Sequence, residues 1–125
     1  MDKNRKRGKR IVQLGENWVD IELFPALQKM HEKGILTEYS CAGVSLQDEP
    51  HDHSLYAYVT MPYSADTERF VQQIITGMRH RVCVTYEPVR HRYDVSSMMI
   101  NQNRSFCLLL HGCANRFEPA DKGAK

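Results

Sequence analysis

The chain reads as an α+β domain: a two-layer sandwich with a four-stranded, largely antiparallel sheet and two helices on one face, in the order α-β-β-α-β-β. Three observations predict it. Ala65–Met78 carries Phe70, Val71, Ile74, Ile75 and Met78 at helical spacing, a broad apolar stripe. Leu55–Met61 alternates strictly, with Leu55, Ala57, Val59 and Met61 on one side, as a half-buried strand does. The 125 residues, 42% hydrophobic and 26% charged, suit one globular domain that buries roughly two thirds of its unfolded surface. That domain is expected over 11–117, between a disordered basic arm (1–10) and a frayed end (118–125).

Ile11–Leu14 predicts a short strand closed by Gly15. Asn17–Lys33 predicts an amphipathic helix with Leu23, Ala26, Leu27 and Met30 on its apolar side. Asp20 would cap it, with a kink at Pro25. A start at Pro25 is the alternative, because proline past the first turn loses a hydrogen bond and clashes with the turn before it. Gly34 stops the helix, since glycine takes the left-handed conformation needed just beyond the last turn. Ile35–Tyr39 favours a strand, and Gly43 permits a sharp turn or a close approach after Ser40-Cys41-Ala42.

Val44–Ser54 reads as a polar loop with Asp48, Glu49, His51, Asp52 and His53. Pro62 ends the strand from Leu55. Ser64 suits the N-cap of the next helix, and Asp66 and Glu68 suit its positive end. Val82–Tyr86 predicts a strand that stops before Pro88. From Val89 to Arg104 the pattern is mixed: Asp94 would cap a short helix through Met98–Ile100, and Asn101–Asn103 a turn. Phe106–Leu110 predicts a last, fully buried strand.

Charge is unevenly placed. Residues 1–10 hold six Lys or Arg and one Asp, a net of +5; the rest holds 11 basic and 14 acidic groups, a net of −3. A basic arm on a slightly acidic body suits contact with a polyanion. No apolar run is long enough to cross a bilayer, and no apolar segment follows the basic start as a secretory signal requires. A cytoplasmic protein with no membrane partner is expected, with its four cysteines reduced.

Two tripeptides echo each other: Arg79-His80-Arg81 before the strand at Val82, and Arg90-His91-Arg92 after it. With Arg104, and with Tyr86 and Tyr93 to stack on bases, they form the candidate site for RNA, DNA or a nucleotide. At about 3.3 Å per residue the tripeptides lie roughly 25–30 Å apart, so they would track a polymer rather than grip one small ligand. Cys107, His111 and Cys113, with the loop histidines or Cys41, are candidate zinc ligands, but C-x₃-H-x-C matches no common zinc module. Cys41 is the candidate nucleophile if His51 or His53 folds back to activate it. No cofactor is expected.

Val19-Asp20-Ile21 through Leu27, then Gly34-Ile35-x-Thr37-x-x-Ser40-Cys41-x-Gly43, resembles a string in small proteins of bacteriophages and prophages. More remotely it is similar to the serine-cysteine-glycine signature of the wybutosine-synthesis methyltransferase that acts on phenylalanine tRNA. The likeness covers about 25 residues. Val44 stands where the phage-type string has histidine. Tyr39 and Val44 stand where the tRNA enzyme has a serine and a basic residue, and no glycine-rich turn for S-adenosylmethionine appears. The resemblance implies a bacterial or phage accessory protein and a role for the Ser40–Gly43 turn, not a methyltransferase. A non-enzymatic nucleic-acid or phosphate-binding module is the leading expectation. The alternatives are an RNA-modifying enzyme built on that turn, and a protein-interaction factor or homodimer using Tyr56 and Tyr58.

Overall fold

A computed structural model describes residues 11–43 and 55–120. The basic arm 1–10, the loop 44–54 with His51, Asp52 and His53, and residues 121–125 lie outside the described residues. The fold is α+β, and its elements run ββα three times. They are β1 (Ile11–Leu14), β2 (Asn17–Asp20), α1 (Phe24–Glu32), β3 (Ser40–Cys41), β4 (Tyr58–Pro62), α2 (Ala65–Met78), β5 (Val82–Glu87), β6 (Arg92–Ser97) and α3 (Asn103–Arg116). Strands β1 and β2 form a hairpin. The other four form a sheet in the order β3-β4-β6-β5, antiparallel at every step.

The hairpin corrects the first expectation. Residues 17–20 were expected to open a helix, but Trp18 points outward and Val19 inward, the period of a strand, with Val12 opposite Val19. Helix α1 therefore starts at Phe24, and Pro25 sits in its first turn, where no helical hydrogen bond is lost. Asp20 is no cap; its Oδ2 accepts the Ala42 N–H at 2.7 Å and ties the hairpin to the later turn. Gly34 does end α1, at φ +87°. Lys33, beside it, donates from Nζ to the carbonyls of Ala114, Asn115 and Phe117, closing the far end of α3.

Ile35–Tyr39 does not form the expected strand. Tyr39 gives its N–H to the Thr60 hydroxyl rather than to a ladder carbonyl, so regular pairing begins only at Ser40. Helix α2 spans Ala65–Met78 as expected, with Ser64 Oγ accepting the Thr67 N–H at 2.9 Å.

Two further corrections lie near the C-terminus. Arg92–Ser97 is one of the two interior strands of the sheet, not the lead into a helix capped by Asp94: Tyr93, Val95 and Ser97 point to the helices and Arg92, Asp94 and Ser96 away. Phe106–Leu110 is helical. Phe106, Cys107, Leu110, Cys113 and Ala114 recur every three to four residues and are all buried, whereas Leu108, mid-run, is 66% exposed. A strand would have buried one alternate set; the helix buries one face.

The expected two-helix layer thus has three members. Their inner residues, among them Leu27, Met30, Phe70, Ile74, Phe106 and Leu110, join Ala57, Val59, Met61 and Val95 of the sheet in one core. The end expected to fray is held as far as Ala120: Arg69 donates to the Glu118 carbonyl, and the Ala120 N–H to Asp66. No described helix is long and apolar enough to cross a membrane.

Candidate functional site

The most distinctive surface lies where β5 turns into β6. Register sets Met61, Tyr93 and Tyr86 side by side on the helix-facing side of the sheet. Tyr63, two residues beyond Met61, adds a third phenol, and its N–H donates to the His91 carbonyl at 2.9 Å. Helix α2 begins at Ala65, just past this end of the sheet, and the rings pack on each other while Tyr86 and Tyr63 stay partly exposed. Tyr63 stacks on His91 at 4.8 Å between centroids, Tyr86 lies 5.2 Å from Tyr93 and 5.6 Å edge-on to His91, and Tyr63 lies 6.2 Å from Tyr93.

Hydrogen bonds fix the cluster. Tyr86 Oη pairs with His91 Nδ1, and Tyr63 Oη donates to Glu68 at 3.1 Å. The Glu87 carboxylate accepts the N–H groups of Val89 and Arg90, which tightens the turn. His91 sits at φ +61°, a left-handed conformation uncommon for a residue with a side chain. Such strain persists only where neighbours over-determine it. Tyr63 is held above the usual phenol range first by its bond to Glu68, and Tyr93 first by burial. Both rings are therefore neutral around pH 7, with Tyr86 41% and Tyr63 38% exposed.

The arginines divide between the two ends. Arg90 is in the turn beside the rings, and Arg92 points to the opposite side of the sheet, where it meets Glu38 at 3.1 Å and lies over the Tyr39 ring at 5.6 Å. Arg79 and Arg81 precede Val82 at the far end, where α3 with Arg104 also starts. One chain brings Tyr93 together with Arg90, but not with Arg79, Arg81 or Arg104.

The Ser40–Gly43 turn has a structural explanation. Asn103, buried at the start of α3, accepts from the Ala57 N–H (2.9 Å) and the Ser97 hydroxyl (2.5 Å), and donates to the Leu55 carbonyl (2.9 Å). Gly43, at φ +81°, lies against this knot; a Cβ there would fall 2.3 Å from Asn103 Nδ2 and 2.7 Å from the Ala57 nitrogen. Cys41 Sγ accepts the Gly43 N–H at 3.4 Å and stands opposite Tyr58. Tyr58 is raised first by burial, then by Cys41, Asp94 and Asp20, so the charges near this corner are acidic. A thiol is activated by a base or a positive field, and none of those neighbours supplies one.

The zinc candidates are separated by the helix that carries them. Cys107 and His111 are one turn apart, while Cys113 faces α2, beside Gly77 and Arg116. Burial raises the Cys113 thiol, against the thiolate a metal needs. Among the described residues no three His, Cys, Asp or Glu side chains are grouped to hold a metal ion.

Sequence reasoning missed two groups. Tyr63 lies past Pro62, outside the strand, and only the alternation continued from Met61 would have placed it with Tyr93. Asp94 stands mid-sheet on the outer face with a buried Oδ1 that has no hydrogen-bond partner, and burial raises its carboxyl against the opposing pull of Arg92. Comparison with protein-family models, curated proteins and solved structures returns no match. The likeness of residues 19–43 to phage-type strings therefore stays an expectation.

Proposed function

We propose that this chain is a non-enzymatic binding module for single-stranded nucleic acid, with the Tyr63–Tyr86–His91–Tyr93 ring cluster as its base-stacking platform and Arg90 as its nearest phosphate contact. One observation carries the reading: four rings gathered at a partly exposed end of the sheet, fixed by hydrogen bonds and by a histidine held in the left-handed conformation. A packed core does not need them there. Stacking accepts any base, because every base has a π-face, and a guanidinium alongside suits the backbone.

The test is fluorescence anisotropy with labelled single-stranded RNA and DNA at rising salt. Affinity should fall steeply as counterions are released from the phosphates. Tyr86→Ala should weaken binding by about 1–3 kcal/mol, the worth of one stacked base, while Tyr86→Phe, which keeps the ring, should bind nearly as wild type. No binding at low salt, or equal binding by Tyr86→Ala, ends the proposal.

The runner-up is a protein-interaction factor. Its support is the outer side of the hairpin, where Trp18, 63% exposed, and Ile11 share one face.

A further inference from the structure

Strand β5 is the free edge of the sheet, and its backbone is set up to pair. The Ser97 N–H donates to the Ala57 carbonyl, so Tyr93, Val95 and Ser97 bond toward β4. By alternation Arg92, Asp94 and Ser96 bond toward β5, which uses Cys83, Thr85 and Glu87 there. The outward-pointing residues of β5 are then Val82, Val84 and Tyr86. Of their groups, the Val82 N–H is taken by the Arg79 carbonyl. For the others no hydrogen-bond partner is found among the described residues.

Edges of this kind are normally blunted by lysine, proline or a bulge. Val82-Cys83-Val84-Thr85-Tyr86-Glu87 has none of these. We infer that β5 pairs antiparallel with β5 of a second copy of this chain, about a two-fold axis at Val84, to make one continuous eight-stranded sheet.

The register follows from the alternation. Outward residues must meet outward residues, and only the Val84-centred register uses all three: Val84 opposite Val84, and Val82 opposite Tyr86 in each direction. Val84 and its counterpart exchange two hydrogen bonds, and each Tyr86 N–H gives one more to a Val82 carbonyl. The side chains agree with the backbone. Valine meets valine and tyrosine on the helix-facing side, Cys83 meets Thr85 on the outer side, and Arg81 comes level with Glu87 of the second copy, twice. Opposite charges facing across strands favour that register over slipped ones. An interface that repeats itself about a two-fold closes after two copies.

A second copy also answers the division of the arginines. Antiparallel pairing sets the start of one β5 beside the end of the other, so Arg79 and Arg81 of one copy come next to the Tyr86 ring cluster of its mate. That joined site rests on the nucleic-acid reading; the pairing itself does not.

Hydrogen exchange of the full chain, read at rising concentration alongside sedimentation, tests the pairing. The Val84 and Tyr86 amides should gain protection as a dimer forms. Amides that stay unprotected while a dimer forms, or a monomer at every concentration, overturn it. Thr85→Cys gives a second measure. Directly opposed non-bonded residues have Cα atoms about 4.5 Å apart, within disulfide range. Mild oxidation should cross-link that variant through Cys83, and the added Cys83→Ser change should abolish the link. A link that persists in the double variant overturns the register. If the cross-linked dimer binds oligonucleotide no better than the reduced chain diluted to its monomer, the joined site falls and the pairing stands.

Discussion

The two ends of the sheet are built on opposite plans. At the Asn103 end, side chains are buried and one amide satisfies three other groups, with Gly43 pressed against it. At the β5–β6 turn, rings remain half exposed, held to one another and to one acidic residue of α2. The first plan makes the fold; the second leaves chemistry at the surface. The lesson is that the motif most visible in the chain, Ser40–Gly43, sits at the first end and is accounted for by packing. The less conspicuous tyrosines sit at the second.

Substitutions should separate these plans by size of effect. Gly43→Ala should be the most damaging, costing roughly 3–4 kcal/mol in urea unfolding, because overpacking adds to left-handed strain. A loss under about 1 kcal/mol would mean that the turn yields and the contrast is false. Asn103→Leu comes next, at about 2–3 kcal/mol, since a similar volume is kept but Ala57, Leu55 and Ser97 each lose their partner. Tyr86→Ala should cost stability only about 0.5–1.5 kcal/mol, the worth of its ring contacts, while weakening oligonucleotide binding by about 1–3 kcal/mol. The reverse outcome, a large stability loss with binding intact, would place the rings with the core.

The smallest effect lies between the ends, at Asp94. Its carboxyl is raised by burial, so the folded chain holds that proton more tightly than the unfolded one. Its contribution to stability is full below the ordinary carboxyl range and is lost as pH rises through the folded value. Asp94→Asn should therefore raise the thermal midpoint at neutral pH and bring no gain in acid. An equal gain at both pH values would refute the linkage to this group.

How much of this was legible in the chain depended on which pattern stood alone. Helix α2 has a cap, an acidic first turn and a single apolar period, and it forms where expected. Gly34 and Gly43 both take positive φ, as their positions between elements suggest. Helix α3 was obscured because Leu108, Leu109 and Leu110 form a short apolar run, which looks the same in a buried strand. The burial of Cys113 and Ala114 one turn further on is what distinguishes the two. β6 was obscured because its outer side is Arg92, Asp94 and Ser96, residues that also suit caps and turns. At the candidate site, Arg90 and Tyr93 were visible as types, but a tertiary turn assembles them with Tyr63. That proximity has no counterpart in spacing along the chain.

Lys33 links two stretches more than eighty positions apart, with one ammonium among three carbonyl oxygens. Acylating that amine would remove the charge that holds those oxygens together, and cutting the chain before residue 114 would remove the oxygens themselves. Either event, one chemical and one proteolytic, should loosen the same junction between α1 and α3.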